Sequence, residues 1–156
     1  MAGEADLARR ELELGRDAYA RKDLAAAEAH LARATALKRD IAQAQHLLAN
    51  VYQDQGKLDR AIGCYRRAIR LAPGFAEAHN DLGTAYFAKG WQREAAECYA
   101  EAVRLDPQHY AAHANLGETL MKLGQYKEAR RSMRAAVWIR ILRFLRRLLP
   151  FAGGPR

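Results

Sequence analysis

The chain has 156 residues, of which half are hydrophobic and 28% are charged, and it contains two cysteines. Two cysteines cannot form a disulfide framework, which favours a reducing compartment. The sequence is rich in the helix formers alanine, leucine, arginine and glutamate, and no segment shows the alternation typical of a β-strand. No apolar run reaches the ~18 residues of a membrane-spanning helix. The composition therefore predicts an all-α protein that does not cross a membrane.

The net charge of +8 is distributed unevenly along the chain. Residues 122–156 contain ten basic residues and one acidic residue, Glu128, whereas residues 1–121 contain sixteen basic and seventeen acidic residues. The protein is therefore a nearly neutral body with a basic tail. The charged N-terminus lacks the apolar segment of a secretory signal. We expect a cytoplasmic location. Because the tail is basic, attachment of the protein to the inner face of a membrane is an open alternative.

The predicted helices follow one another in a repeat of 34 residues. Four units cover 8–41, 42–75, 76–109 and 110–143, and each contains two amphipathic helices. Neither helix of a unit can bury its apolar side alone, so the units must stack into a continuous core. Three kinds of position recur: a small residue in the first helix, a large residue in the second helix, and a residue between them that suits a left-handed turn. The small residues are Gly15, Ala49, Gly83 and Gly117, the large residues are Leu31, Tyr65, Tyr99 and Met133, and the turn residues are Lys22, Gly56, Gly90 and Gly124.

The third unit, HNDLGTAYFAKGWQREAAECYAEAVRLDP, resembles the tetratricopeptide repeat (TPR) family. The residues that carry the resemblance are Leu82, Gly83, Tyr86, Ala95, Tyr99, Ala102 and Pro107. The first and last units depart from the pattern, because Arg39 and Ile141 stand where proline is expected and Ala18 stands where tyrosine is expected. The resemblance implies a right-handed α-α superhelix, a TPR solenoid, whose concave face is lined by the first helix of each unit.

On this resemblance we expect the concave groove to bind an extended peptide or a helix of a partner protein whose identity the sequence does not give. Side-chain amides would bond the partner's backbone, and Phe87 and Met121 would contribute apolar pockets. The alternative is a helix face that is merely solvated. The residues predicted to line the groove are Arg16, Tyr19, Gln43, His46, Asn50, Gln53, Asn80, Asp81, Thr84, Phe87, Asn115 and Glu118.

Catalysis, a metal and a cofactor are not expected. His30, Cys64, Cys98 and Ser132 occupy one column of the second helices, but neighbouring helices lie about 8–10 Å apart and zinc holds its ligands at about 2.0–2.3 Å. Structural cysteines are the better interpretation. We therefore predict a non-enzymatic interaction scaffold.

The segment after Val137 forms a second candidate surface, a basic amphipathic helix over 137–149 that continues or follows the last repeat, with 150–156 as a frayed tail beyond Pro150. At about 100° per residue its apolar side chains fall on an arc of about 160°, and Ile139 is the apolar residue outside that arc. The apolar arc consists of Val137, Trp138, Ile141, Leu142, Phe144, Leu145, Leu148 and Leu149.

Three interpretations of this helix remain open. It caps the solenoid with its apolar arc packed on the fourth unit; it lies on an anionic membrane surface; or it contacts a second copy of the chain or a further domain. Nucleic-acid binding is not expected, because no aromatic residues are interleaved with the arginines on the same face of the helix. The residues predicted to make the membrane or partner contact are Trp138, Arg140, Arg143, Phe144, Leu145, Arg146, Arg147 and Leu148.

Overall fold

The computed structural model describes residues 2–38 and 41–148. Within these ranges the chain forms eight α-helices and no strand, which confirms the predicted all-α fold. None of the helices in these ranges combines the length and the apolar character needed to cross a membrane. The helices are α1 (Ala2–Ala20), α2 (Leu24–Leu37), α3 (Ala42–Asp54), α4 (Leu58–Leu71), α5 (Ala76–Ala88), α6 (Gln92–Leu105), α7 (Tyr110–Lys122) and α8 (Tyr126–Leu148).

The helices form four pairs, and the turn inside each pair lies where the sequence predicts it. The residues at these turns have positive φ values, 61° at Lys22, 74° at Gly56, 79° at Gly90 and 76° at Gly124. Glycine reaches this conformation without the steric cost that a β-carbon imposes. Two features named from the sequence lie outside the described residues. They are Arg39, at the closing position of the first unit, and the tail at 150–156.

The first, third and fourth pairs are held by close approach of a glycine to a large residue. A β-carbon added to Gly83 would lie 2.8 Å from Cε1 of Tyr99, and one added to Gly117 would lie 2.7 Å from Cγ of Met133. Tyr99 is itself buried, with 2% exposure. Glycine in the middle of a helix costs about 1 kcal/mol relative to alanine, and here that cost is offset by the packing that the missing side chain permits.

The array curves toward its first helices. The backbone of each first helix approaches that of the next one along the array, α1 with α3, α3 with α5 and α5 with α7, to within 8 Å between Cα atoms, whereas no two second helices within the described residues approach that closely. The side of α1, α3, α5 and α7 that faces away from the second helices is therefore the concave side of the solenoid, and we refer to it as the inner face.

Helix α8 differs from the other second helices in length. It runs without a break for 23 residues, whereas α4 and α6 have 14 residues each. Its buried residues are Ala129, Ala136 and Ile139. Ile139, which lies outside the apolar arc on the helical wheel, therefore packs on the body of the protein. From Arg140 to Leu148 every residue of α8 is exposed.

The apolar arc of α8 is not packed on the fourth repeat. A cap would bury this arc, but all seven of its members within the described residues are exposed, from 39% at Ile141 to 61% at Trp138. The arc points away from the side that carries Ala136 and Ile139. Over 137–148 the exposure of the arc does not favour the interpretation of this helix as a cap, and the arc is open to another contact.

The close approach at Gly83 gives a test with an internal control. Gly83→Ala should lower the free energy of unfolding by about 1 kcal/mol, because overpacking against Tyr99 exceeds the gain in helix propensity. Gly63→Ala in α4, where nothing lies within 4 Å of the added β-carbon, should raise it by about 1 kcal/mol. Urea unfolding followed by circular dichroism measures both, and shifts of the same sign would contradict the packing account.

Candidate functional site

The twelve side chains predicted to line the groove lie on α1, α3, α5 and α7, but they differ in exposure. His46 and Asn80 are buried, with 7% exposure each. The remaining ten comprise an exposed set and a half-buried set. The exposed set is Arg16, Gln43 and Glu118, and the half-buried set is Tyr19, Asn50, Gln53, Asp81, Thr84, Phe87 and Asn115.

Hydrogen bonds between successive first helices join residues that are 35 positions apart. Nε2 of His46 lies 2.8 Å from Oδ2 of Asp81, and Nδ2 of Asn115 donates to Oδ1 of Asn80 at 3.1 Å. The hydroxyl of Tyr19 donates to Asp54 at 3.0 Å. Since the repeat is 34 residues long, each bond joins one position of a unit to the following position of the next unit. Polar residues of the inner face therefore hold neighbouring repeats together.

These bonds connect into one chain across the centre of the array. Nδ2 of Asn80 donates to Oδ1 of Asp81 at 3.0 Å, which links His46 on α3, Asp81 and Asn80 on α5, and Asn115 on α7. The ring of His46 also packs against Phe75, with ring centroids 4.7 Å apart. His46 and Asn80 thus serve the fold, since Nε2 of His46 and both polar atoms of the Asn80 side chain already have partners within the protein.

A second set of bonds lies within the central repeats. The hydroxyl of Tyr65 donates to Oδ1 of Asn50 at 2.7 Å, and the hydroxyl of Tyr99 donates to Oγ1 of Thr84 at 3.2 Å. Burial raises the pKa of the Tyr65 hydroxyl, so it remains a donor at neutral pH. In each pair one atom of the inner face is already bonded to the second helix of its own repeat.

The outer repeats lack these bonds. The large residues of the first and last repeats are Leu31 and Met133, which have no hydroxyl group to donate. Arg16 and Glu118, which occupy the positions equivalent to Asn50 and Thr84, are exposed and of opposite charge. The inner face is therefore bonded to itself at its centre and carries exposed charged groups toward its two ends.

Two residues of the inner face were not predicted. Asp54 accepts the Tyr19 bond and lies 3.6 Å from Nζ of Lys22. Lys122 lies with Nζ 4.1 Å from the centroid of the Phe87 ring and 3.5 Å from Glu118. Asp54 and Lys122 are each 35 residues beyond the aromatic residue that they contact, so a search for complementary pairs at this offset would have found both.

The column with the two cysteines has no arrangement that would hold a metal. In the part of the chain that the structure describes, no group of three or more histidine, cysteine, aspartate or glutamate side chains could hold a metal ion. His30 instead bonds Glu11, with Nδ1 and Oε2 2.7 Å apart. Burial raises the pKa of the Cys64 thiol, and burial together with the charge of Glu97 raises the pKa of Cys98 to about 11.

Comparison with known sequences identifies the family. A profile described as TPR repeat matches residues 49–90 and 83–124, and a profile described as tetratricopeptide repeat matches residues 110–139. The chain belongs to the tetratricopeptide repeat family. TPR arrays are generally scaffolds for protein–protein interaction, so the family directs attention to the surfaces of this array. No curated protein is significantly similar in sequence to the chain.

Solved TPR structures share the fold. The crystal structure of MamA superposes with a TM-score of 0.83 at 23% identity over 87% of this chain and 80% of MamA. Pseudomonas aeruginosa PilF gives 0.78 at 22% identity over 88% of this chain and 63% of PilF. A mutant of the Thermobaculum terrenum O-GlcNAc transferase gives 0.70 at 28% identity over 75% of this chain but 22% of the transferase. The likeness to MamA and PilF shows the TPR fold alone.

The bond between His46 and Asp81 predicts a coupling between two substitutions. Asp81→Leu should lower the free energy of unfolding by about 2–3 kcal/mol, because it leaves the buried His46 without its partner. Adding His46→Leu should restore about half of that loss, since Leu12 and Leu47, which occupy the equivalent positions of the preceding junction, pack against the core. A double-mutant cycle in urea measures the coupling, and simple additivity of the two losses would contradict it.

The raised thiol pKa values predict slow alkylation. At pH 7.5 a thiol with a pKa of about 11 is almost wholly protonated, and the thiolate is the reactive form. Iodoacetamide should therefore modify Cys98 at least about a hundredfold more slowly in the native chain than in urea, with a rate that increases as the pH is raised toward 10. Mass spectrometry of timed samples measures this. A fast native reaction at pH 7.5 would show that the Cys98 thiol is activated.

Proposed function

We propose that the chain is a non-enzymatic scaffold that binds a partner protein through the inner face. The observation that carries this proposal is the distribution of exposed polar groups on that face. His46, Asn80 and Asn115 are bonded to the protein's own side chains, whereas Arg16, Gln43 and Glu118 are exposed. A partner would therefore be recognised mainly by its contacts with these exposed groups, of which Arg16 and Glu118 lie toward the ends of the groove.

The dimensions of the array favour a short extended segment as the ligand. Four first helices at about 8–10 Å spacing span about 30 Å, which an extended chain crosses in about nine residues. The exposed guanidinium of Arg16 suits a carboxylate at the α1 end. Met121, with 41% exposure, and the half-buried Phe87 offer apolar contact at the α7 end. A peptide with an acidic residue at one end and an apolar residue at the other fits this surface.

Peptides selected from a random library against the intact chain test the proposal. Met121→Glu should weaken their binding at least about tenfold, because loss of a buried apolar contact at an interface costs more than about 1 kcal/mol. Leu71→Glu on α4 is the matched control, since Leu71 and Met121 are equally exposed at 41%. Isothermal titration calorimetry gives the affinities. Equal weakening by both variants, or selection of no binding peptide, would contradict a ligand in the groove.

The exposed arc of α8 favours a second function of a different kind. Seven large apolar side chains in water form a contiguous surface, and surfaces of this kind mark contacts with proteins or membranes. We propose that α8 attaches the array to a membrane or to a second copy of the chain. If the protein is cytoplasmic, α8 would bind the inner face of the membrane.

A further inference from the structure

The direction in which α8 faces water follows from its buried residues. Ala129, Ala136 and Ile139 are buried and define the side that packs on the body. At about 100° per residue, the opposite side is occupied by residues from both halves of the helix, and we refer to it as the outward face. The outward face consists of Lys127, Arg130, Arg131, Arg134, Trp138, Ile141, Leu145 and Leu148, all exposed.

Charge and apolar character are separated along this face. Its first half contains four basic residues, from Lys127 to Arg134, and no acidic residue, since Glu128 lies to the side. Its second half contains apolar residues alone, and Trp138 and Leu148 are 61% and 59% exposed. The basic residues that share a direction with the apolar surface are therefore those before Val137, whereas Arg143 and Arg147 point the other way.

We propose that the outward face of α8 docks on an anionic lipid surface. The apolar half would enter the boundary between headgroups and acyl chains, as the apolar side of an interfacial helix does. The basic half would lie at the level of the lipid phosphates, where each Lys or Arg strengthens binding by several-fold. This inference makes the proposed second function of α8 specific, and it is independent of binding in the groove.

The separation of charge argues against a second copy as the occupant of this face. Two outward faces packed in parallel would bring four cations against four cations, and like charges repel. Packed antiparallel, they would place the basic half of one copy against the apolar half of the other and remove the charges from water without partners. An anionic bilayer satisfies both halves at once.

Contacts at the end of the array would keep the docked protein in a fixed orientation. Arg143 donates from its guanidinium to the carbonyl oxygen of Gln108 at 2.8 Å, which fastens the far part of α8 to the loop between α6 and α7. The outward face belongs to the last helix, whereas the groove is formed by α1, α3, α5 and α7. Docking through α8 would therefore leave the groove accessible beside the membrane.

Flotation with vesicles tests the proposal on the full chain. The chain should bind vesicles of phosphatidylcholine with about 30% phosphatidylserine, and raised salt should weaken that binding. Arg130→Gln with Arg134→Gln should weaken it at least about tenfold, and Leu145→Ser with Leu148→Ser should abolish it. The matched controls are Arg67→Gln with Arg70→Gln on α4 and Leu7→Ser with Leu14→Ser on α1, all at exposed positions, which should bind as the unaltered chain does.

Tryptophan fluorescence provides a second measurement. The chain contains two tryptophans, so Trp91→Phe leaves Trp138 as the single reporter. Its emission should move to shorter wavelength on addition of the anionic vesicles and should be quenched by brominated acyl chains, because the ring enters the apolar layer. No change in emission would overturn the proposal even if the protein floated with the vesicles.

The remaining outcomes separate the proposals from one another. Absence of vesicle binding, or equal binding by the Leu145→Ser/Leu148→Ser variant, would overturn docking on lipid. If sedimentation without vesicles shows a dimer that this variant abolishes, a second copy occupies the face and the lipid proposal is wrong, although the second function of α8 stands. Met121→Glu should leave vesicle binding unchanged, so failure of groove binding is recognised separately.

Discussion

The rest of the structure depends on the close approach of a glycine to a large residue, which occurs in the first, third and fourth repeats. Gly83 lies against the Tyr99 ring without room for a β-carbon, and Gly117 lies in the same way against Met133. This contact sets how closely the two helices of a pair approach. It also sets the position of the Tyr99 hydroxyl, which lies beside Thr84 in the third repeat. The packing of the core therefore decides which polar groups of the inner face are already bonded.

The bonds between repeats have a similar consequence. Because the first helices contact one another, a side chain of one repeat reaches the following position of the next repeat, as His46 reaches Asp81 and Asn80 reaches Asn115. A buried polar group without a partner is costly, so these residues are needed for the junctions. The amide side chains that the sequence suggests for binding a partner's backbone are therefore used at the centre of this array to join its repeats. The exposed charged groups Arg16 and Glu118 lie toward its ends.

The fold could be predicted from the sequence because its determinants are local and repeat. The 34-residue spacing, the small residues and the turns at Lys22, Gly56, Gly90 and Gly124 are all properties of short segments. The burial of particular groove residues could not be predicted in this way. Whether His46 is free depends on which residue lies 35 positions later and on the curvature that brings the two together.

The same limit explains α8. A helical wheel gives the angles between side chains but not the direction of the protein body, so Ile139 was the residue outside the apolar arc. The structure shows that Ile139 is buried and that the arc faces water. On the sequence alone, the apolar surface is grouped with the arginines around Arg143. In the structure, the basic residues that face the same way as the apolar surface are those from Lys127 to Arg134.

The central claim is that the asparagines at the middle of the inner face are bonded to the protein's own side chains, whereas exposed polar residues of that face are open to water. Solvent exchange of side-chain amide protons, measured by nuclear magnetic resonance, tests this directly. The account predicts slow exchange for Asn80 and Asn115, whose amide groups donate to Asp81 and Asn80, and fast exchange for the exposed Gln43. Exchange at Asn80 and Asn115 as fast as at Gln43 would contradict the account and return these residues to the set available for a partner.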